Sequence, residues 1–448
     1  MSDNQPLDLL TDLIAKARAV GADAADAVLV DSASLSVSCR LGKPEKVERS
    51  ESGDLGLRVL IGKRQALVSS SDRSPAALAE LVNRAVAMAR AVPEDPFCGL
   101  AEPDQLASVI PALDIFDPAE PQPETLVDWA HRAEDAARAV PGVTNSEGAE
   151  AGWGRSRIAV AASNGFSTSY WISNSQISAS VLAGDAASGG MERDYDYSTA
   201  VYFSDLRSPE DVGHEAGRRT VRRLGARKAK TARVPVVFDT RVARGLLGHL
   251  AGAINGASIS RGTSFLKDSM GKQVFAPGIT IIDDPHLPRG LRSKPCDGEG
   301  IANRRRAVIE NGVLTTWFLD LRSARQLGLH STGHASRGTG SPPSPAPSNL
   351  WIEPGQITLA EMLSDIPDGL YVTELFGMGV NGITGDYSRG AAGFWIKGGE
   401  IAYPVNEITI AGNLKDMFLN LTAANDLEKT HGMDAPSLRI DGLTIAGA

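Results

Sequence analysis

A proline-rich stretch between residues 93 and 123 constrains the fold of this chain more than any other feature. Its prolines stand at positions 93, 96, 103, 111, 118, 121 and 123. Proline has a fixed φ and no backbone N–H, so such a stretch cannot continue a helix or a central strand. It therefore predicts a linker. The chain has 448 residues, which is enough for two or three separate hydrophobic cores.

Helical and strand-like patterns alternate on both sides of this linker. Apolar residues at helical spacing predict helices at about residues 9–17, 75–88, 125–140 and 209–224. Short alternating segments separated by Gly42, Pro44, Gly53 and Gly62 predict a meandering antiparallel sheet. We expect an α+β fold with several domains. They are an N-terminal α/β domain (1–95), a Pro-rich linker (96–123), a central α/β domain (124–230) and a β-rich C-terminal domain (231–448).

Charge and cysteine content exclude some classes of protein. The formal net charge is −9, whereas a dedicated nucleic-acid binder normally carries a basic domain or stripe. The cysteines, Cys39, Cys98 and Cys296, form no CxxC pair, and the first residues lack the pattern of a signal peptide. No run approaches the ~18 apolar residues of a membrane span. We expect a cytoplasmic protein that binds neither membrane nor nucleic acid.

The C-terminal domain begins with a strand-like run that leads directly into residues 239–256, DTRVARGLLGHLAGAING. Asp239 or Thr240 can cap a helix here. Positions 242, 246, 250 and 254 form an apolar ridge, and glycines occupy positions 245, 248, 252 and 256. Each glycine inside a helix costs up to ~1 kcal/mol relative to alanine. The glycines indicate either close packing by another element or a helix face that borders a cleft.

Four stretches around and after this helix resemble the TldD/PmbA family. They are SFLKDSMGK at 264–272, LGLHSTGHA at 327–335, ITGDYSRGAAGFW at 383–395 and PVNEITIAGNLKDM at 404–417. The resemblance is strongest to the PmbA-like subunits and, more weakly, extends to the N-terminal half. It implies a two-component metalloprotease that acts on short or unfolded peptides, in peptide maturation and antitoxin degradation.

TldD-like subunits of this family carry an HExxxH motif on the glycine-spaced helix and a further cysteine ligand near the C-terminus. In this chain Gly248 stands at the first histidine, His249 at the glutamate and Ala253 at the second histidine, and no cysteine follows Cys296. Glycine and alanine side chains cannot ligate a metal. The resemblance therefore implies no metal and no catalytic residue in this chain, with zinc held by a TldD-like partner.

Other residues could carry chemistry. His330 and His334 are four positions apart, but the Ser-Thr-Gly between them argues against a helical metal site. His286 follows two aspartates in a proline-containing turn. Cys296 could act as a nucleophile, although nothing in the sequence specifies its base. Gly377-Met378-Gly379 lacks the third glycine of a phosphate-binding loop.

The leading expectation is a non-catalytic subunit that binds a TldD-like catalytic subunit and peptide substrates, and that forms a homodimer in the absence of its partner. Tyr387, Arg389 and Gly390 are the candidate contacts to substrate or partner. Residues 385–394 and 398–405 are the candidate surfaces near substrate or partner, because an extended peptide can add to a sheet edge as a strand. One alternative is an active homomeric peptidase that uses His249 with His330 or His334. Another, implied by the family's older description, is a non-enzymatic modulator of DNA gyrase.

Overall fold

The computed structural model describes residues 5–185 and 190–447, and it confirms a multi-domain α+β fold. The α-helices of this part are α1 (Gln5–Ala19), α2 (Pro75–Ala91), α3 (Pro123–Arg138), α4 (Pro209–Arg222), α5 (Thr240–Ala253), α6 (Gly256–Ser260), α7 (Leu321–Leu327), α8 (Leu359–Ser364) and α9 (Leu414–Leu419). Between residues 5–185 and 190–447, no helix combines the length and apolarity needed to cross a membrane.

The strands are more numerous, and most of the long ones lie before residue 201. They are β1 (Ala24–Arg40), β2 (Lys43–Ile61), β3 (Arg64–Ser70), β4 (Val143–Ala162), β5 (Ser167–Asp185), β6 (Gly190–Ala200), β7 (Ala232–Phe238), β8 (Ile281–Asp284), β9 (Arg306–Glu310), β10 (Val313–Leu314), β11 (Ala335–Ser336), β12 (Ser344–Pro345), β13 (Asn349–Ile352), β14 (Asp368–Phe376), β15 (Asp386–Lys397), β16 (Glu400–Asn413), β17 (Leu421–Ala423), β18 (Met433–Asp434) and β19 (Leu438–Ala446).

The four long helices of the first 222 residues lie where the apolar spacing predicts them. All four have proline in the first turn, where its missing N–H costs nothing. The Ser74 and Ser208 side chains cap α2 and α4 by accepting from the N–H groups of Ala77 and Asp211. These local signals explain why the boundaries could be predicted closely.

The first six strands form one antiparallel sheet in the order β3-β2-β1-β4-β5-β6. The predicted segments 1–95 and 124–230 therefore contribute to a single sheet, joined where β1 pairs with β4 from Asp26↔Ala162 to Cys39↔Ala149. The prediction of several short strands before residue 62 was wrong. Gly53 does not interrupt β2. Strand β1 stays paired with β2 on both sides of Gly53.

Both helix pairs pack on the same face of this sheet. Residues 25, 27 and 29 of β1 are buried in a core that they share with residues of α1 and α2. Residues 35 and 37 of the same strand are buried in a second core, which they share with residues of α3 and α4. Alternate residues of a strand share one face, so the helices form one layer. On the other face, Val28, Val160 and Phe166 pack around Cys296 of the C-terminal domain.

The C-terminal domain contains a second six-stranded sheet in the order β16-β15-β14-β7-β19-β17, and β19 also pairs with β16 so that the sheet closes on itself. A five-stranded sheet, β10-β9-β8-β13-β18, lies beside it. The predicted hairpin turns are confirmed. Asn311 and Gly312 have φ of 48° and 82°, and Gly398 and Gly399 have φ of 60° and 85°, the left-handed region such turns require.

Candidate functional site

Helix α5 is anchored at its N-terminus by Asp239. The Asp239 carboxylate accepts from the Arg241 N–H at 2.9 Å, and its other oxygen accepts from the Tyr371 hydroxyl at 2.6 Å. Leu246 and Leu250 of the apolar ridge are buried in the largest core, as is Ile254 just after the helix. Because one face of α5 is fixed in this way, the orientation of the opposite, glycine-bearing face is fixed as well.

The glycines of α5 do not serve close packing. A Cβ atom added at Gly245, Gly248 or Gly252 would meet no neighbouring atom within 4 Å. Gly256 differs, because a Cβ there would lie 2.6 Å from Leu319 Cδ2 and 2.8 Å from the Phe318 carbonyl oxygen. The glycines inside α5 therefore face open space, and only Gly256 is required by a close approach.

Gly248 and Gly252 border a cleft of about 310 Å³ between α5 and the connection from β14 to β15, whereas Gly245 lies outside its lining. The residues that line it are mostly small or apolar: Gly248, His249, Gly252, Ala253, Ser258, Thr263, Phe265, Met378, Val380, Gly382, Arg389 and Leu414. The connection is held in place from both sides. The Phe265 N–H donates to the Gly382 carbonyl at 3.0 Å, and the Leu414 N–H donates to that of Gly385 at 2.7 Å.

Large apolar side chains are exposed at the end of β14 and on the connection that follows it, which borders the cleft. Met378 is 94% exposed, Ile383 is 60% exposed and Phe376 is 46% exposed. Such residues are normally buried, and a cluster of exposed ones beside a cleft is typical of a binding surface. The cleft and these exposed side chains together offer an apolar surface to a ligand larger than the cleft itself.

Three polar side chains mark the inner end of the site. His249 lines the cleft, and its ring and the Tyr387 ring meet in an edge-to-face arrangement with centroids 5.9 Å apart. Burial, and next the positive charge of Arg389, lower the pKa of His249, so the imidazole is neutral at neutral pH. Burial raises the pKa of Tyr387 to about 12. The Arg389 Nε donates to the Phe376 carbonyl at 3.0 Å.

The predicted contact residues therefore occupy different depths. Arg389 lines the cleft, whereas Tyr387 is only 2% exposed and lies beneath His249. Gly390 pairs with Phe376 across β14 and β15. Strand β15 is paired with β14 on one side and with β16 on the other, so its residues 386–394 offer no free edge to which a peptide strand could add.

The cleft does not provide a zinc site. Gly248 and Ala253 along the cleft have no side-chain donor atoms, and the lining has one histidine, no carboxylate and no thiol. Within residues 5–185 and 190–447, no group of three or more His, Cys, Asp and Glu side chains is placed to hold a metal ion. The guanidinium of Arg389 also disfavours a cation. The donor set therefore does not fit zinc.

Of the remaining candidates, His334 and His286 have hydrogen-bonding partners and Cys296 is buried in a core cluster. His334 is buried; its Nε2 lies 3.2 Å from Asp283 and its Nδ1 lies 2.8 Å from the Thr332 hydroxyl, while His330 is exposed. The His286 Nε2 lies 2.7 Å from the Asn303 amide oxygen. Cys296 is buried, and burial raises its pKa to about 12, which opposes formation of the nucleophilic thiolate.

Part of the cleft wall was missed from the sequence. Phe265 and Leu414 lie inside the stretches that carry the family resemblance, but nothing in their spacing indicates a cleft. In the sequence, Met378 stands only in the incomplete glycine pattern of a phosphate-binding loop. An apolar side chain between two glycines is a weak indication of an exposed loop tip, and it could have drawn attention to Met378.

Comparison with known proteins assigns this architecture to a class. Models of the PmbA/TldA metallopeptidase family match three parts of the chain: domain 1 at residues 25–89, the central domain at 116–224 and the C-terminal domain at 231–447. The fold and the matched domains therefore define a PmbA/TldD-type metallopeptidase architecture. This chain belongs to the PmbA/TldD family.

Its relatives include two proteins named for PmbA. The chain is 44% identical to the metalloprotease PmbA of Escherichia coli O157:H7 over 95% of its own length and 92% of the relative's. It is 37% identical to the metalloprotease PmbA homolog of Haemophilus influenzae over 99% and 96%. A TldD homolog of Buchnera aphidicola is 27% identical over 65% of this chain and 66% of that protein.

Solved structures share the complete fold. A protein of Bacteroides thetaiotaomicron described as a modulator of DNA gyrase superposes with a TM-score of 0.92 at 25% identity, covering 100% of both chains. TldE from Thermococcus kodakarensis superposes with a TM-score of 0.87 at 21% identity, covering 98% of this chain and 100% of that one.

Proposed function

We propose that this chain is the peptide-binding, non-catalytic subunit of a two-component metalloprotease whose zinc is supplied by a TldD-like partner. One observation carries the proposal. The helix face on which the family's catalytic subunits place their metal ligands is kept here as an open cleft, with Gly248, His249, Gly252 and Ala253 along it. A helix that had only lost its ligands would gain stability by exchanging exposed glycines for alanine.

The chemistry of the cleft fits a short, largely apolar peptide. Phe265, Val380 and Leu414 provide apolar walls, and the exposed Met378 and Ile383 extend them along the connection that borders the cleft. Arg389 provides a positive charge that suits a peptide carboxylate, and a guanidinium can bind a carboxylate through two hydrogen bonds. His249 stays neutral and offers one donor and one acceptor to a peptide backbone.

Co-purification with the TldD-like subunit of the same organism tests the partnership. The two chains are expressed together with an affinity tag on this chain only, and the recovered material is analysed for both subunits and for zinc. We expect the partner to be retained, with the zinc accompanying the partner. Stoichiometric zinc in this chain purified alone, together with peptide cleavage by it, would contradict the proposal and favour a homomeric peptidase.

The description of the Bacteroides structure as a DNA gyrase modulator favours a second candidate function, in which this chain binds gyrase. The net charge of −9 suits contact with protein better than contact with DNA. Binding of the purified chain to gyrase, measured by surface plasmon resonance, combined with no effect on proteolysis by the partner, would support this candidate over the first.

A further inference from the structure

The cleft beside α5 is lined by one cation and by no carboxylate. The cation is Arg389, whose Nε donates to the Phe376 carbonyl oxygen at 3.0 Å. In the part of the chain that the structure describes, neither Nη atom of Arg389 makes a hydrogen bond or an ion pair. Arg389 is half-buried and borders mostly apolar side chains, where an uncompensated charge is unfavourable. A negatively charged ligand would compensate it.

Two further polar groups close to Arg389 have unmade hydrogen bonds. Tyr387 and Arg389 are two positions apart in β15, so their side chains lie on the same face of the sheet. The Tyr387 hydroxyl is buried and has no hydrogen-bond partner within residues 5–185 and 190–447. Its ring contacts that of His249, whose nitrogens make no hydrogen bond to the same residues. Because buried polar groups are normally satisfied, this concentration of unpaired groups indicates the polar end of a ligand.

The size of the cleft limits what part of a peptide it can hold. It is surrounded by α5, by residues 258–265, by residues 378–382 and by Leu414. The Phe265 N–H donates to the Gly382 carbonyl at 3.0 Å and thereby joins two of these walls. The volume of about 310 Å³ is at the lower end of the ~300–1,000 Å³ that is usual for ligand pockets. The cleft therefore suits the end of a peptide better than a long internal segment.

The charge of the cleft favours one end of a peptide over the other. An N-terminal ammonium group would meet the guanidinium of Arg389, and the lining has no carboxylate to offset the repulsion. A C-terminal carboxylate can accept two parallel hydrogen bonds from a guanidinium, and the neutral ring of His249 can donate one more. Apolar side chains that precede the terminus would contact Phe265, Val380 and Leu414.

We propose that the cleft binds the free C-terminus of a peptide, with the terminal carboxylate at Arg389 and the last apolar side chains against Phe265 and Val380. This inference rests on the proposed function, because it assigns a substrate class and a chain direction to the same cleft. A carboxylate on an internal side chain does not fit in the same way, since the peptide on both sides of it would have to enter the small cleft.

Competition between peptides of matched sequence tests the role of the terminus. A fluorescein-labelled short peptide that ends in alanine, valine and leucine is bound to the purified full-length chain and followed by fluorescence anisotropy. It is displaced by the unlabelled free acid, by its C-terminal amide or by the N-acetylated free acid. We expect the free acid to bind about ten-fold or more tightly than the amide, and N-acetylation to have no effect. An internal glutamate added to the amide should not improve its binding.

Substitution of Arg389 tests whether this side chain provides the preference. In Arg389→Gln the acid and the amide should bind equally, with the affinity that the amide has for the parent chain, and that shared affinity also shows that the variant is folded. Arg244→Gln is the matched control. Arg244 lies on α5 outside the cleft lining, and its Nε likewise donates to a backbone carbonyl, that of Arg241 at 3.1 Å. This variant should keep the preference for the acid.

The failure of this inference is distinguishable from the failure of the proposed function. Equal binding of the acid and the amide to the parent chain would overturn the inference and leave a peptide-binding cleft in place. A preference for the acid that persists in Arg389→Gln would overturn the placement of the carboxylate at Arg389. If no peptide binds to the parent chain, both the inference and the peptide-binding role are overturned.

Discussion

Substitution of Gly248 by alanine tests whether this face of α5 borders an open cleft or is packed against another element. Gly248 lies inside α5 with no neighbour within 4 Å of an added Cβ. Alanine is favoured over glycine in a helix by up to ~1 kcal/mol, and no repacking opposes this gain here. We expect Gly248→Ala to stabilise the C-terminal domain by about 0.5–1 kcal/mol, which for a domain of this size raises Tm by about 1–4 °C.

The measurement is differential scanning calorimetry of the purified chain, with two matched controls. Gly245→Ala, on the same helix but outside the cleft lining, should stabilise to the same extent. Gly256→Ala should destabilise by about 1–3 kcal/mol, because its Cβ would press on Leu319 and on the Phe318 carbonyl. A loss of stability in Gly248→Ala would show that its helix face is packed and would refute the cleft.

The other predictions concern peptide binding and the buried charges between the domains. Gly248→Leu and Arg389→Ala should each weaken binding of a labelled short apolar peptide about ten-fold or more in fluorescence anisotropy, while Gly245→Ala should not. Asp26→Ala leaves both Arg58 and Arg337 buried without the carboxylate that they share and should cost about 3–5 kcal/mol in denaturant unfolding. Asp31→Ala, which breaks the more exposed pair with Arg73, should cost less than ~1 kcal/mol. Glu299 lies in the same buried region, and burial, together with the charge of Asp297, raises its pKa. The folded state then binds more protons than the unfolded one, so this group removes stability as pH rises above the ordinary pKa of glutamate. Glu299→Gln should make Tm less sensitive to a change from pH 6 to pH 8.5, and an unchanged pH dependence would contradict this.

The elements that could be predicted from the sequence are those set by local chemistry. Helix α4 begins where Ser208 and Pro209 indicate, and the turn at Asn311-Gly312 follows from the left-handed φ that those residues tolerate. The pairing of β1 with β4 could not be predicted in the same way, because it joins segments more than a hundred residues apart across the proline-rich linker. No local pattern encodes such a register.

The same distinction holds at the site. His249 and the glycines of α5 could be identified, because their spacing places them on one helix face. Whether that face was packed or open depended on residues 376–385, whose position is set by hydrogen bonds such as that from the Phe265 N–H to the Gly382 carbonyl. The burial of Tyr387 against His249 could not be predicted either. The residue pattern of a strand does not show which of its two faces a helix such as α5 covers.

Cleavage of a short peptide by the separate and combined subunits tests the central claim most directly. The rate is measured for this chain with added zinc, for the TldD-like subunit, and for their mixture. We expect no cleavage by this chain alone, and cleavage by the mixture that decreases when Gly248→Leu replaces the parent chain. Cleavage by this chain alone, or by the partner at a rate that this chain leaves unchanged, would contradict the assignment of a peptide-binding, non-catalytic subunit.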